Sequence, residues 1–176
     1  MDETGGDVGQ GLDISSVRQN LGSLRDVLGN LEAAGEMRRI SRPTDIRHIA
    51  TLVDQSETAL LFTNVLGYDM PVVSGVMTSR HRLAIAMGCE FSEIEALLRR
   101  GLASPIPPET IALKGLHNVV QKGVDVDLFD LPVPIFGTLD GGPMITAGVI
   151  LAHDEEFGFN AGVYRCLVKD RNTTGI

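Results

Sequence analysis

Apolar residues recur in the first part of the chain at spacings of three and four residues, the period of an amphipathic helix. This pattern predicts a helix from about Val17 to Ala34, with Gly35 as the residue that ends it. The apolar stripe consists of Leu21, Leu24, Val27, Leu28 and Leu31. A second helix is predicted from Asp45 to about Glu57, because apolar residues share one face and Asp45 lies at the positive end of the helix dipole.

Short apolar runs alternate with these helices and predict strands. Three strands are predicted, at Met37–Ile40, Ala59–Val65 and Pro71–Val76. Ser79 is predicted to cap a following helix, and the stretch Phe91-Ser92-x-x-Glu95 predicts a capping box for another helix that ends near Gly101. The alternation of strands and helices predicts an α/β domain.

The character of the chain changes after the proline-rich stretch Ala103–Pro108, which cannot continue a helix. A domain boundary is therefore predicted near residues 103–117. Valines alternate with other residues between Val119 and Leu128, and two longer apolar runs follow. These runs, Met144–His153 and Ala161–Lys169, flank an acidic loop with a glycine and predict a long β-hairpin.

The pattern divides the chain into three parts. Residues 1–14 are rich in glycine and acidic residues and predict a flexible arm. Residues 15–110 predict the α/β domain, and residues 111–176 the beginning of a second, β-rich domain. The chain stops at Ile176 within a sequence that reads as ordered, which predicts that a further segment or a partner completes the second domain.

Composition excludes several broad classes of protein. The chain has 176 residues, of which 43% are hydrophobic, so it can bury a core and is not expected to be disordered. A net charge of −8 disfavours a general nucleic-acid binder. No apolar run can cross a bilayer, and the acidic N-terminus does not resemble a signal peptide, so we expect a cytoplasmic protein without a membrane partner.

Few residues suggest chemistry by their spacing alone. Cys89 and Cys166 are far apart and form no CxxC pair, and no two of the four histidines have metal-ligand spacing. Asn160 and Arg165 lie on a predicted strand at an odd offset, which places them on opposite faces unless the backbone between them is irregular. Gly162 would permit a bulge or a close approach of a ligand. A surface hairpin with a salt-bridged arginine remains an alternative interpretation.

Two motifs carry a resemblance to a known family. Asp140–Gly148 (DGGPMITAG) and Asn160–Arg165 (NAGVYR) resemble motifs of the UbiD family of decarboxylases, which use prenylated FMN. Three further stretches resemble family blocks in the same order, at residues 24–45, 59–88 and 127–136. The resemblance thus extends over most of the chain.

The resemblance implies a fold and a set of site residues. It implies an α/β (α+β) N-terminal domain followed by the opening strands of a split β-barrel that binds the flavin. Asn160 matches a ligand of Mn²⁺ or Mg²⁺, and an amide oxygen suits such a cation. Ala161 matches a position whose carbonyl contributes to a K⁺ site. Gly162, Val163 and Tyr164 match the strand along the flavin, and Arg165 matches the catalytic arginine of a Glu-Arg-Glu network.

The resemblance also implies what this chain lacks. In the family a histidine and a glutamate complete the metal site, and both glutamates of the catalytic network lie downstream of the strands present here. A partner chain or segment that supplies them is therefore expected, in a homo- or hetero-oligomer. The implied reaction is the reversible decarboxylation of an aromatic or α,β-unsaturated carboxylic acid, and the chain alone is expected to be inactive.

Two other functions remain open from the sequence. The chain could be a non-catalytic binding or assembly subunit that retains the family's N-terminal domain. It could also be a flavin module akin to the split-barrel reductases, although missing strands would leave an open apolar edge. The presence of both Asn160 and Arg165 favours the decarboxylase, because a scaffold has no physical need for the two residues.

Overall fold

The computed structural model describes residues 23–107 and 120–176. The predicted arm at residues 1–14, the start of the first predicted helix and much of the predicted boundary at residues 103–117 lie outside the described residues. Within the described ranges, no helix combines the length and the apolar character that crossing a membrane requires.

The first described part is a small α/β unit. Its helices are α1 (Leu24–Ala33), α2 (Ile49–Asp54), α3 (Arg80–Met87) and α4 (Ile94–Ala103), and its strands are β1 (Met37–Ile40), β2 (Ala59–Phe62) and β3 (Val72–Ser74). The strands form one sheet in the order β1-β2-β3, in which β1 is parallel to β2 and β3 is antiparallel to it. The mixed α/β character that the sequence predicts for this part is confirmed.

The central strand β2 holds the core together because its two faces are both buried. Leu60 and Phe62 point to one face and pack with Ile49 of α2. Ala59 points to the other face and packs with Leu31 of α1. Since side chains alternate along a strand, helices α1 and α2 cover opposite faces of the sheet. The almost uninterrupted apolar sequence of β2 is typical of such a doubly covered strand.

Two helix predictions are wrong in detail. The helix predicted from Asp45 to Glu57 is only Ile49–Asp54, since the carboxylate of Asp45 accepts from the backbone N–H of Arg47 and holds a turn ahead of it. The capping box predicted at Ser92 and Glu95 lies two residues earlier, where Glu93 accepts from the backbone N–H of Glu90 at 2.9 Å. A short 3₁₀ turn therefore precedes α4.

Arg82 on α3 is a buried cation at the centre of this unit, with 5% of its surface exposed. Its helix begins as predicted, because Ser79 Oγ accepts from the Arg82 backbone N–H at 3.1 Å. The guanidinium donates to the carbonyl oxygens of Gly75 (3.0 Å) and Glu57 (2.6 Å) and to the carboxylate of Glu36 (3.1 Å). It thereby connects three loops around the sheet.

The second described part begins with turns, within the segment that the sequence predicts to be β-rich. Between residues 120 and 131 the backbone forms two 3₁₀ turns, at Gly123–Asp125 and Leu128–Asp130, so the alternating valines there do not make a strand. The physical reason is local: Gly123 has a positive φ of 59°, and the carboxylate of Asp127 accepts from the backbone N–H of Phe129 at 2.9 Å. Both features bend the chain away from an extended path.

Three antiparallel strands follow and confirm the predicted long hairpin. They are β4 (Met144–Asp154), β5 (Gly158–Asp170) and β6 (Thr173–Gly175), in the order β4-β5-β6. The segment before β4 lies against the first unit, where Val133 and Phe136 line a cavity of about 250 Å³ together with residues of β3. Within the described residues, strands β4, β5 and β6 form a small sheet that does not close into a barrel.

Candidate functional site

The β4–β5 hairpin carries every site residue that the sequence predicts. Its tip is the turn at residues 155–157, where the carboxylate of Asp154 accepts from the backbone N–H groups of Phe157 and Glu156, both at 2.9 Å. These two donors hold the pKa of the Asp154 carboxyl below its usual range. Gly158 follows with a φ of 77°, a conformation that favours glycine. The sequence of the turn therefore builds the hairpin end next to Asn160.

The motif Asp140-Gly141-Gly142-Pro143 builds the other end of the hairpin. Asp140 accepts from the backbone N–H of Gly137 at 2.7 Å and closes a turn. Gly142 has a φ of 152°, and the carbonyl oxygen of Pro143 then accepts from the backbone N–H of Val168 at 2.9 Å. Within the described residues, this motif therefore shapes the backbone at the base of β4 and β5 through a turn and a hydrogen bond between the two strands.

One irregularity interrupts the hairpin, and it lies on β4. The register shifts between the pairs Ile145–Cys166 and Gly148–Tyr164. Two residues of β4, Thr146 and Ala147, thus oppose the single residue Arg165 of β5. This is a β-bulge, and it leaves the alternation of side chains along β5 intact.

The predicted site residues therefore divide between the two faces of β5. Asn160, Gly162 and Tyr164 occupy one face, here called the Asn160 face. Ala161, Val163 and Arg165 occupy the other, the Arg165 face. A bulge within β5 would bring Asn160 and Arg165 together, but the bulge across from Arg165 does not do so. The residues share one strand and its backbone but not one face.

Asn160 and Arg165 are both exposed and available to a ligand. Among the residues that the structure describes, no hydrogen bond or ion pair holds the side chain of either one. Several other arginines are paired with carboxylates: Arg39 with Glu32, Arg47 with Asp45, Arg82 with Glu36, Arg99 with Glu95 and Arg171 with Asp127. The interpretation of Arg165 as a salt-bridged surface residue is therefore wrong for the described part of the chain.

Gly162 and Tyr164 form a close contact on the Asn160 face. A Cβ atom at position 162 would overlap Cε2 of the Tyr164 ring and would lie 3.1 Å from its Cζ. Farther along the same face, Cys166 and Val168 are buried. The Asn160 face thus passes from exposed small and polar residues near the hairpin tip to a packed base.

The Arg165 face carries an apolar ladder that the site prediction missed. Val149 lies directly opposite Val163, and Leu151 lies opposite Ala161. The last rung is an edge-to-face contact between the rings of His153 and Phe159, whose centroids are 4.6 Å apart. The signal was in the sequence, because the apolar residues of β4 and β5 alternate with period two. Within residues 23–107 and 120–176, no three His, Cys, Asp or Glu side chains form a group that could hold a metal ion.

Two family models match the chain and together cover more than half of it. The 3-octaprenyl-4-hydroxybenzoate carboxy-lyase N-terminal domain (UbiD_N) matches residues 28–100, and the Rift-related domain of the same family (UbiD) matches residues 112–176. The chain belongs to the UbiD family. The resemblance seen in the two motifs is confirmed, and the β4–β5 hairpin falls within the second match.

The alignments with curated relatives include most of this chain but only about a third of each relative. An uncharacterized protein encoded in the cooM 5′ region of Rhodospirillum rubrum is 33% identical over 174 residues, 90% of this chain and 36% of that protein. The anhydromevalonate phosphate decarboxylase of Methanothermobacter thermautotrophicus is 30% identical over 126 residues, 71% of this chain and 29% of that protein. The chain thus spans about a third of the length of these relatives.

Solved structures of UbiD-class enzymes resemble the fold closely. HmfF from Pelotomaculum thermopropionicum, in an evolved dimeric form with prFMN, has a TM-score of 0.81 and 31% identity over 87% of this chain and 37% of that chain. Vanillic acid decarboxylase from Sedimentibacter hydroxybenzoicus has a TM-score of 0.78 and 27% identity over 86% of this chain and 37% of that chain. The chain therefore matches UbiD-class structures over about a third of their length.

Proposed function

We propose that this chain is the N-terminal part, or a subunit, of a UbiD-class decarboxylase that acts reversibly on an aromatic or α,β-unsaturated carboxylic acid. The observation that carries the proposal is that Asn160 and Arg165 are exposed on one strand of a segment that matches the family's second domain, and that neither side chain has a partner within residues 23–107 and 120–176. A non-catalytic subunit has no physical need for an exposed amide and an exposed guanidinium on the same strand.

The chemical types of the residues on β5 suit the proposed metal ions and flavin. The side-chain oxygen of Asn160 is the hard donor that Mn²⁺ or Mg²⁺ prefers, and the carbonyl of Ala161 is a suitable donor for K⁺. The absence of a Cβ at Gly162 lets the ring of Tyr164 lie over the backbone of β5 at that position. Prenylated FMN, when bound, supplies the electron sink for loss of CO₂. Gly162, Val163 and Tyr164 are the residues proposed to lie along it.

Arg165 is the residue of this chain proposed to act on the substrate. Its guanidinium is a fixed fork of donors that can bind a carboxylate with two hydrogen bonds. It lies at the end of the apolar ladder of Val149 and Val163, which offers an uncharged surface beside the cation. A carboxylic acid with an apolar body suits this pairing, and the guanidinium would hold its carboxylate while the bond to carbon breaks.

The remaining groups must come from another segment or chain. A metal ion needs several ligands and Asn160 offers one. A proton donor is also required, because the carbon that loses CO₂ must be protonated. We therefore propose that a partner in a homo- or hetero-oligomer completes an open sheet into the split barrel and contributes the missing histidine and glutamates. The cysteines Cys89 and Cys166 are free thiols, which suits the cytoplasmic location proposed here.

Co-expression tests the proposal. The chain is produced with a candidate partner that carries the missing ligands, in cells able to prenylate FMN, and flavin absorbance and intact-complex mass are measured. Flavin retained only in the complex supports the proposal. A stable flavin-free chain that ignores each such partner overturns it and leaves the assembly or scaffold function instead.

Variants of the two polar residues separate their roles within that complex. Asn160→Ala is expected to lower the bound Mn²⁺ measured by elemental analysis, while the mass of the protein complex is unchanged. Arg165→Ala is expected to abolish CO₂ release and to leave complex and flavin in place. Near-normal turnover of Arg165→Ala would contradict the role given to Arg165.

A further inference from the structure

An apolar groove of about 640 Å³ lies between helices α3 and α4 of the first unit. Its apolar lining consists of Leu83, Phe91, Ile94, Leu98 and Leu102. The last three of these residues are spaced by four on α4, so they form one stripe along that helix. This surface is here called the α4 groove, and the proposed decarboxylase function makes no use of it.

The apolar stripe of α4 is exposed. Leu98 is 53% exposed and Leu102 is 85% exposed, and within the described structure α4 has no buried residue. An amphipathic helix normally buries its apolar stripe against another segment. A helix of 10 residues is also marginally stable in water without such packing. The stripe therefore indicates a surface that another segment covers.

Arg80 gives the mouth of the α4 groove a positive charge. Its Cζ atom lies 5.9 Å from the centroid of the Phe91 ring, and among residues 23–107 and 120–176 no carboxylate pairs with it. Arg99, which also lines the groove, pairs with Glu95 at 2.7 Å, so these two charges offset each other. A complementary occupant therefore combines apolar side chains with negative charge.

The first 16 residues of the chain have this composition. They include no lysine or arginine, and their acidic residues are Asp2, Glu3, Asp7 and Asp13. Leu12 and Ile14 flank the last of these acids. Residues 1–16, here called the acidic segment, lie outside the described residues and precede the family match, which begins at residue 28.

We propose that the acidic segment binds in the α4 groove of its own chain, with Leu12 and Ile14 against the apolar stripe and Asp13 beside Arg80. In an extended chain, side chains two residues apart point to the same side and the one between them points to the other. Leu12 and Ile14 would thus enter the groove while Asp13 stays at its mouth, where Arg80 is exposed. The inference is independent of the decarboxylase proposal.

The acidic segment is long enough to reach the groove. Helix α1 begins directly after Ser23, and Ile85 of α3 packs against the core cluster that contains Leu31 of α1. The 10 residues of α1 span about 15 Å. The chain between Asp13 and Ser23 spans up to about 33 Å when extended. Since α3 forms one wall of the groove, this reach is sufficient.

A second copy of this chain is a less suitable occupant. Two copies joined through their α4 grooves would bring the Arg80 side chains of both copies together. Each copy also carries a net charge of −8, so two copies repel each other at neutral pH. A segment of the same chain has a high effective concentration at the groove instead.

The test compares amide hydrogen exchange, measured by NMR, in the full chain and in a chain that lacks residues 2–16. Deletion is expected to speed exchange of the Leu98 and Leu102 amides at least about tenfold, because α4 loses the segment that covers it. The amides of Leu60 and Phe62 in β2 serve as the internal reference and should not change.

Substitutions in the acidic segment test the apolar contact without a change of charge. Leu12→Ser combined with Ile14→Ser should speed exchange in α4 as the deletion does. Val8→Ser is the matched control, since it removes an apolar side chain from the same segment outside the proposed contact. It should leave exchange in α4 within about twofold of the full chain.

A double-mutant cycle tests the ionic contact. Asp13→Asn and Arg80→Gln should each speed exchange in α4 about threefold. The chain with both substitutions should exchange no faster than either single variant, because the same contact is lost only once. Effects of the two substitutions that multiply would contradict the pairing of Asp13 with Arg80.

Two further results overturn the proposal. One is equal exchange of the α4 amides in the full chain and in the chain without residues 2–16. The other is protection of α4 that rises with the concentration of the full chain, because a second copy would then be the occupant. None of these measurements involves flavin, metal or substrate, so their failure is distinguishable from failure of the decarboxylase proposal.

Discussion

The ring of Tyr164 lies over Gly162, two residues earlier on the same face of β5. A Cβ atom at Gly162 would lie 3.2 Å from the Tyr164 hydroxyl oxygen and would overlap another atom of the ring. The ring can rest there only because position 162 has no side chain. This contact makes the surface beside Asn160 dependent on a single glycine.

The substitution Gly162→Ala is expected to displace the Tyr164 ring. The change in the free energy of unfolding should stay within about 1 kcal/mol, because the clashing group is the end of a rotatable side chain and alanine is tolerated in strands. The chain has two tyrosines and no tryptophan, so a Tyr68→Phe background leaves Tyr164 as the fluorescent reporter. Quenching of its emission by acrylamide should increase.

Gly29 offers a matched control for this substitution. An added Cβ at Gly29 meets nothing within 4 Å, and the residue lies within α1. Gly29→Ala should raise the free energy of unfolding by up to about 1 kcal/mol through helix propensity, and should not change the quenching. Equal quenching of Gly162→Ala and the Tyr68→Phe parent would show that the ring does not depend on Gly162.

Local patterns predicted the elements of this chain where several signals agreed. The strand β2 is a short apolar run next to turn residues, and the β4–β5 hairpin combines alternation with a glycine in its turn. Between residues 120 and 131 the alternation of valines was misleading, because a positive φ at Gly123 and the side chain of Asp127 favour turns. Periodicity alone does not register such competing local hydrogen bonds.

For the proposed site residues, the sequence predicted the strand on which they lie but not the irregularity in its pairing. Strand alternation already placed Asn160 and Arg165 on opposite faces unless the strand was irregular. Whether β4 or β5 would hold the irregularity depends on how the two strands pair, which is a tertiary property. The bulge at Thr146 and Ala147 has no distinct signature in the sequence, and it leaves the two residues apart.

The corrected capping box gives a direct comparison of two neighbouring residues. Glu93→Ala removes the acceptor for the Glu90 backbone N–H and should lower the free energy of unfolding by about 1 kcal/mol. Ser92→Ala, at the cap that the sequence predicted, should change it by less than about 0.5 kcal/mol. Urea unfolding followed by circular dichroism measures both. A larger loss of unfolding free energy from Ser92→Ala than from Glu93→Ala would contradict the capping box at Glu90 and Glu93 and support the cap at Ser92.

Removal of the buried cation should be the most damaging change in the first unit. Arg82→Met removes the donor to the carbonyl oxygen of Glu57 and the ion-pair partner 3.1 Å from the Glu36 carboxylate. Loss of one partner from a largely buried ion pair costs about 3–5 kcal/mol. The Tm and the urea midpoint should both fall strongly.

The pair of Arg99 and Glu95 is the control for Arg82. Its N–O distance is 2.7 Å, but both side chains are about three-quarters exposed on α4. Arg99→Met should therefore change the free energy of unfolding by less than about 0.5 kcal/mol. Comparable losses from Arg82→Met and Arg99→Met would mean that the buried contacts of Arg82 contribute little.

Acid is expected to loosen the hairpin tip next to Asn160. The N–H groups of Phe157 and Glu156 stabilise the charged form of Asp154, so the pKa of this carboxyl is lower in the folded chain than in the unfolded chain. Its contribution to stability is therefore complete above the ordinary aspartate pKa, and is lost as the pH falls through the lowered one. The amide proton shifts of residues 156 and 157 should titrate with a midpoint below that of an ordinary aspartate. Asp154→Asn keeps an acceptor oxygen without a charge, and it should abolish this titration while the turn still forms. A midpoint at or above the ordinary value would show that the two amides do not stabilise the carboxylate.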